Sequence, residues 1–211
     1  MPQQLFDPAD VQKTFAMLTV DSHNTTLLNE ISLRASVDDE LCFGPFPPGY
    51  HFVRAENRIA GIPNEHFELA LVNEITREIV YYNRVIYQKD AFLNYMPVTQ
   101  ILIWRSPKPS HRGVLRDLPG KVFSQYLLEK YNVIITDRHQ TRDGMSFWQS
   151  RLYDAIASGH HLYAYDMITC EMRPIVKDSD IGDQVNWLWG DEEHHQNRLA
   201  IISKLPLPAV E

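Results

Sequence analysis

The chain has 211 residues, 44% of them apolar and 22% charged, a balance that suits one folded domain with its own core and excludes a disordered or low-complexity chain. A formal net charge of −7 argues against a protein that coats nucleic acid. Two cysteines, Cys42 and Cys170, exclude a disulfide framework and a four-thiolate zinc site.

The first predicted element is a helix in "DPADVQKTFAML", residues 7–18. Asp7 can cap it, Pro8 suits its first turn, and Val11, Phe15 and Leu18 share a face. The pattern of "TTLLNEISLRA" fits a helix or a strand. "CFGPFPPGYHF" at 42–52 is rich in Pro, Gly and aromatics and is expected to be irregular, as a surface cover or as one wall of a cleft. Residues 66–88, "HFELALVNEITREIVYYNRVIYQ", predict a β-hairpin. Phe67, Leu69 and Leu71 alternate with His66, Glu68 and Ala70, a turn falls near Glu74–Arg77, and Val80, Tyr82 and Arg84 share a face. "VTQILIWRS" is a third strand, with Ile101–Trp104 expected to be buried on both sides.

The period then lengthens. "DLPGKVFSQYLLEKY" predicts a helix with Asp117 as cap and Pro119 in its first turn. "NVIIT" is a short buried strand. "TRDGMSFWQSRLYDAIASG" is a helix whose Met145, Trp148, Leu152, Ala155 and Ile156 share a face and whose Gly159 ends it. "HLYAYD" and, after a long connection, "RLAIISK" are strands. The order from residue 66, β-β-β-α-β-α-β then β, implies an α/β (α+β) fold. Its mixed sheet is flanked by helices, with Ile101–Trp104 and Val133–Thr136 as adjacent parallel strands. The expected organisation is a single domain over 1–211, with a helical and loop portion at 1–65 and the core sheet and helices at 66–204.

This order, together with the segments quoted for it, resembles the GNAT acyltransferase superfamily, and a helical portion ahead of the hairpin is compatible with that family. The corner "DRHQTRDGMSFW", Asp137 to Trp148, is also similar to GNAT-like proteins of phages and other mobile elements. The resemblance implies a reaction: transfer of an acetyl or other acyl group from acetyl-coenzyme A to an amine on a small molecule or protein. It implies that the backbone of Ile103 and Trp104 pairs with the pantetheine arm. Arg112 and Gly113, with Gly120 and Lys121, would hold the phosphates ahead of the following helix. Asp137 and His139, beyond the end of a parallel strand, would serve proton transfer. "HRGVLRDLPGK" lacks the family's compact glycine signature and carries Asp117. Ala155 stands where many members place a tyrosine acid, four residues before the helix-ending glycine; Tyr153 lies about 200° around the helix from it. Those departures fit a different class of protein, a GNAT-like module without catalysis that binds another protein, for instance a host protein met by a mobile element.

The same corner reads as a structural joint if Thr141 caps the helix and Gln140 ties the loop. "DEEHHQN" at 191–197 and His160–His161 place histidines side by side, so their ligand atoms diverge and no metal site is expected. Trp187 and Trp189 in "NWLWG" are expected either to pack beneath a loop or to face a partner. No apolar run nears the roughly 18–20 residues of a membrane span, and the opening "MPQQLFDPADVQK" lacks a signal core. The expectation is a cytoplasmic protein without a membrane partner and without nucleic acid as its main ligand.

Overall fold

A computed structural model describes residues 8–32, 36–41, 44–87, 97–136, 142–191 and 194–207. The fold is mixed α/β, with largely antiparallel sheet and flanking helices. Its described residues fall into two compact units, one holding 8–87 and 100–126, the other 97–99 and 127–207.

The first unit opens with helices α1 (Pro8–Thr19) and α2 (Asp21–Ile31); the ambiguous "TTLLNEI" is therefore helical. Strands β1 (Tyr50–Glu56), β2 (His66–Asn73) and β3 (Glu78–Tyr87) pair antiparallel in that order, and β4 (Val98–Arg105) lies next to β3. The predicted turn at Glu74–Arg77 forms because Asn73 Oδ1 accepts the amides of Ile75 (2.9 Å) and Thr76 (3.2 Å), while Arg77 takes a left-handed φ of 57°. One expectation fails here. Tyr50, His51 and Phe52 belong to β1, not to the irregular segment, because the aromatic and β-branched run "YHFV" finds a full partner in β2. All eight residues of β2 are buried, as suits a central strand covered on both sides.

One core of this unit joins Leu18, Leu28 and Ile31 of the helices to Val53, Ala70, Val72, Tyr82, Leu102 and Trp104 of the sheet. Asn24 pins the start of α2 to it. Its Nδ2 donates to the carbonyls of Leu18 (2.8 Å) and Ile79 (2.9 Å), and its Oδ1 accepts the Ile79 amide at 2.7 Å. After β4 come a 3₁₀ turn (Pro109–His111), α3 (Arg112–Leu115) and a helix in three parts: α4 (Leu118–Lys121), a π-helical stretch (Val122–Leu127) and α5 (Leu128–Tyr131). Asp117 does not cap it by its side chain. With φ 56° it sits in the left-handed region, and its carbonyl accepts the Lys121 amide at 3.0 Å instead.

In the second unit the start of β4 pairs parallel with β5 (Val133–Ile135), through Val98 with Ile134 and Thr99 with Ile135. The two expected strands are parallel neighbours, but the ladder is made by Val98 and Thr99, ahead of the expected Ile101–Trp104. The last strand, β8 (Arg198–Ser203), lies antiparallel between β5 and β6 (His161–Asp166). Helix α6 (Arg142–Ala157) buries Trp148, Leu152 and Ala155 as its spacing predicts. It ends in the expected glycine: Gly159 at φ 74° donates to Ile156 O, and His160 donates to Ala155 O, both at 2.9 Å. The long connection is not irregular. It contains β7 (Met172–Ile175), an edge strand paired only with β6 and carrying Pro174, and α7 (Asp178–Trp189). Asp180 starts α7 by accepting the amides of Val176 (3.1 Å) and Lys177 (3.2 Å). Trp187 and Trp189 are thus helical residues.

Candidate functional site

The stretch 105–121 that leaves β4 carries five Lys and Arg residues against one acid, Asp117, in a chain of net charge −7. Lys108 is committed, its Nζ lying 2.7 Å from Glu78 and 2.9 Å from Asp21. The other four, Arg105, Arg112, Arg116 and Lys121, are all exposed and have no carboxylate partner among the described residues. Exposed arginines and lysines concentrated without acids create a local positive field that an otherwise acidic surface lacks. Gly113 adds an open approach to the backbone: no heavy atom lies within 4 Å of where its Cβ would be. The six residues predicted around a coenzyme A phosphate and arm therefore fall on one connected piece of the first unit. Ile103 and Trp104 are on β4, Arg112 and Gly113 in α3, and Gly120 and Lys121 in α4. The Trp104 side chain belongs to the core, so the proposed ligand role falls to its backbone alone.

A polar network holds this piece in place. His111, 1% exposed, shares a hydrogen bond with the Tyr50 hydroxyl through Nδ1 (2.8 Å) and one with Glu78 through Nε2 (3.0 Å). The turn before α3 is thereby tied to the starts of β1 and β3. Burial alone would raise the Glu78 carboxyl. The bonds from Lys108, Thr76 and His111 outweigh that and hold it below the usual carboxylate range.

Next to the basic stretch are buried polar groups that protein atoms leave incomplete. Tyr81 and Asn83 share a face of β3, both are fully buried, and neither the Tyr81 hydroxyl nor either end of the Asn83 amide has a hydrogen-bond partner among the described residues. Burial pushes the Tyr81 phenol up, against the smaller opposing influence of the neighbouring Asn83 amide and the Arg105 charge. An uncompleted buried amide costs about 1–3 kcal/mol, so such a pair usually marks a place that a water or ligand completes. The sequence does carry a signal for it: Asn83 interrupts "IVYYNRVIY", where a strand centre disfavours asparagine.

On the other unit, Arg198 gathers the ends of β6, β8 and α7. It reaches Asp166 (3.4 Å), Asp191 (3.0 Å) and the Trp187 carbonyl (2.9 Å), and its guanidinium stacks 4.4 Å from the Trp187 ring, which Arg173 also approaches at 4.2 Å. Trp187 therefore packs against two guanidiniums. Asp137 and His139, the predicted proton-transfer pair, and Gln140 and Thr141 beside them, lie outside the described residues. Among the described residues no three His, Cys, Asp or Glu side chains gather to hold a metal ion, and no helix is long and apolar enough to cross a membrane. No protein-family model matches the chain, and no curated protein matches it.

Proposed function

We propose that the chain is a GNAT-like N-acyltransferase that uses acetyl-coenzyme A or a related thioester. The observation that carries this reading is the set of four cations on the segment leaving β4 that have no carboxylate partner among the described residues, in a protein otherwise rich in acid. Coenzyme A is a polyanion, and its phosphates need such a field. The topology of each unit supports the same reading. In one, a hairpin leads into β4; in the other, a short parallel β4–β5 ladder is followed by a last strand set antiparallel between β5 and β6.

On this proposal Arg112, Gly113, Gly120 and Lys121 hold the phosphates, and the backbone of Ile103 and Trp104 holds the pantetheine arm. When bound, the cofactor supplies an acyl group activated as a thioester. The protein's own share is to position the amine and remove its proton, a role assigned to Asp137 and His139. Tyr81, Asn83 and Arg105 supply further polar groups beside β4.

Calorimetric titration with acetyl-coenzyme A tests the proposal. The wild type should bind, and the Arg112→Glu, Lys121→Glu double variant should lose binding while staying folded. Each charge-assisted bond removed is worth about 1.5–3 kcal/mol. Absence of binding at millimolar cofactor would overturn it. The second reading, a GNAT-like module that binds a protein partner without catalysis, is favoured by α6: Ala155 is buried and has no hydroxyl, while Tyr153 is 47% exposed. That outcome would then take precedence.

A further inference from the structure

Helices α1 and α2 and the strands beneath them enclose a cleft of about 360 Å³ within the first unit, well apart in sequence from the segment that leaves β4. That volume sits at the lower end of small-molecule sites, roughly 300–1,000 Å³. Met17, Leu18, Leu27 and Ile59 supply apolar wall, and Tyr82 and Arg84 of β3 supply a polar one.

The polar wall is unevenly satisfied. Glu68, fully buried, accepts two bonds from Arg58 (Nε and Nη2, both 2.7 Å) and one from the Tyr82 hydroxyl. Arg58 uses its remaining nitrogen on Glu30, at 2.6 Å. These two acids and one arginine need nothing more. Arg84 is different. Its Nε (3.3 Å) and Nη2 (3.2 Å) both donate to the Tyr82 hydroxyl, a neutral group, and no carboxylate pairs with it among the described residues. Its Nη1 has no protein acceptor there. The guanidinium is thus held in one orientation by the Tyr82 oxygen, half-buried, with its Nη1 open, at the wall of a cleft whose opposite side is the apolar Met17, Leu18, Leu27 and Ile59. A half-buried guanidinium nitrogen without an acceptor has lost hydration without a replacement, a cost that a bound anion removes.

We infer that this cleft is a binding site for a small amphipathic monocarboxylate. Its carboxylate pairs with Arg84, and its short apolar tail lies against Met17, Leu18, Leu27 and Ile59. Arg58 and Arg84 together only balance Glu30 and Glu68, so the anionic head group that fits carries the least charge: a monocarboxylate can take the open Arg84 nitrogen, while a phosphate dianion is repelled. The inference does not rest on the acyltransferase reading, because none of the residues assigned to the cofactor lines the cleft.

Hexanoate, hexanol and hexylamine serve as probes, titrated into the full chain labelled at its methyl groups and followed by NMR at Met17, Leu27 and Ile59. Hexanoate should shift these signals saturably and more tightly than hexanol, and hexylamine should bind least. Arg84→Gln should weaken hexanoate by about tenfold or more, the weight of one charge-assisted hydrogen bond, and leave hexanol unchanged. Ala60→Trp, at the rim and outside the Arg58–Glu68 network, should block both hexanoate and hexanol and so keeps the test open if Arg84→Gln fails to fold. Equal affinity for hexanoate and hexanol, no saturation with hexanoate, or hexanoate binding that survives both substitutions would overturn the assignment.

Discussion

The buried pair Arg58–Glu68 should behave asymmetrically when its members are removed one at a time. Glu68 is wholly buried, and among the described residues its one hydrogen-bond partner beyond Arg58 is the Tyr82 hydroxyl. Replacing Arg58 by methionine strands a carboxylate in the interior, a change that costs about 3–5 kcal/mol in comparable settings. Arg58 is better placed to survive the loss of its partner. Its side chain is 19% exposed, and it keeps the bond to Glu30 at the surface. Glu68→Leu should therefore cost less, about 1–3 kcal/mol, chiefly because Tyr82 loses its acceptor. The double variant removes both charges together and should fall short of the summed single costs by about 1–3 kcal/mol, as contacting residues do. Urea melts of the four proteins, checked for a constant m-value, give the cycle. If Glu68→Leu proves as damaging as Arg58→Met, or if the two costs simply add, the reasoning from burial and residual partners is wrong.

Three further outcomes are expected. Asn24→Ala removes three hydrogen bonds and leaves the Ile79 amide unsatisfied; it should cost about 1–3 kcal/mol and, in hydrogen exchange, should expose the Ile79 amide first. Trp148→Ala empties a site that is 3% exposed on the inner face of α6 and should lower stability by about 3–5 kcal/mol in a denaturant melt. For Asp166, burial pulls upward, but the amides of Thr169 and Ile168 and the charge of Arg198 outweigh it and hold the carboxyl below its ordinary value. A carboxylate depressed in the folded state stabilises fully above its unfolded pKa of about 3.9. Its contribution disappears as pH falls below that through the folded value, so the stability gap between wild type and Asp166→Asn should be widest near neutrality and should close in acid.

The secondary structure that rests on local pattern was readable from the residues. The hairpin turn follows from "NEITR", where an asparagine can accept two amides, and the end of α6 follows from Gly159. The parallel β4–β5 pairing follows from an apolar run, a helix and a second apolar run in succession. What was missed depends on partners distant in sequence. β7 is four residues long and contains a proline, so it carries no strand signal of its own and exists because β6 lies beside it. α7 opens on an acid-rich turn that looks like loop until Asp180 is seen accepting two amides. The site divides in the same way. The basic residues of 105–121 stand out against a chain of net charge −7, but that four of them lack an acidic partner among the described residues is a three-dimensional fact. The Tyr50–His111–Glu78 network joins residues 61 and 33 positions apart, beyond what spacing can suggest.

The short edge strand β7 has a consequence for how this unit meets other molecules. Its sheet stops at a border only four residues long, where Pro174 offers no amide and the Arg173 side chain is 38% exposed. A foreign strand arriving there finds a broken row of donors and a charge, the means by which natural sheets discourage main-chain annexation. Selectivity along this border then belongs to side chains. Trp187, stacked against the ion-paired guanidiniums of Arg173 and Arg198, lies just behind it. A strand-like contact would accept almost any extended peptide, whereas this border can read only what its own residues recognise.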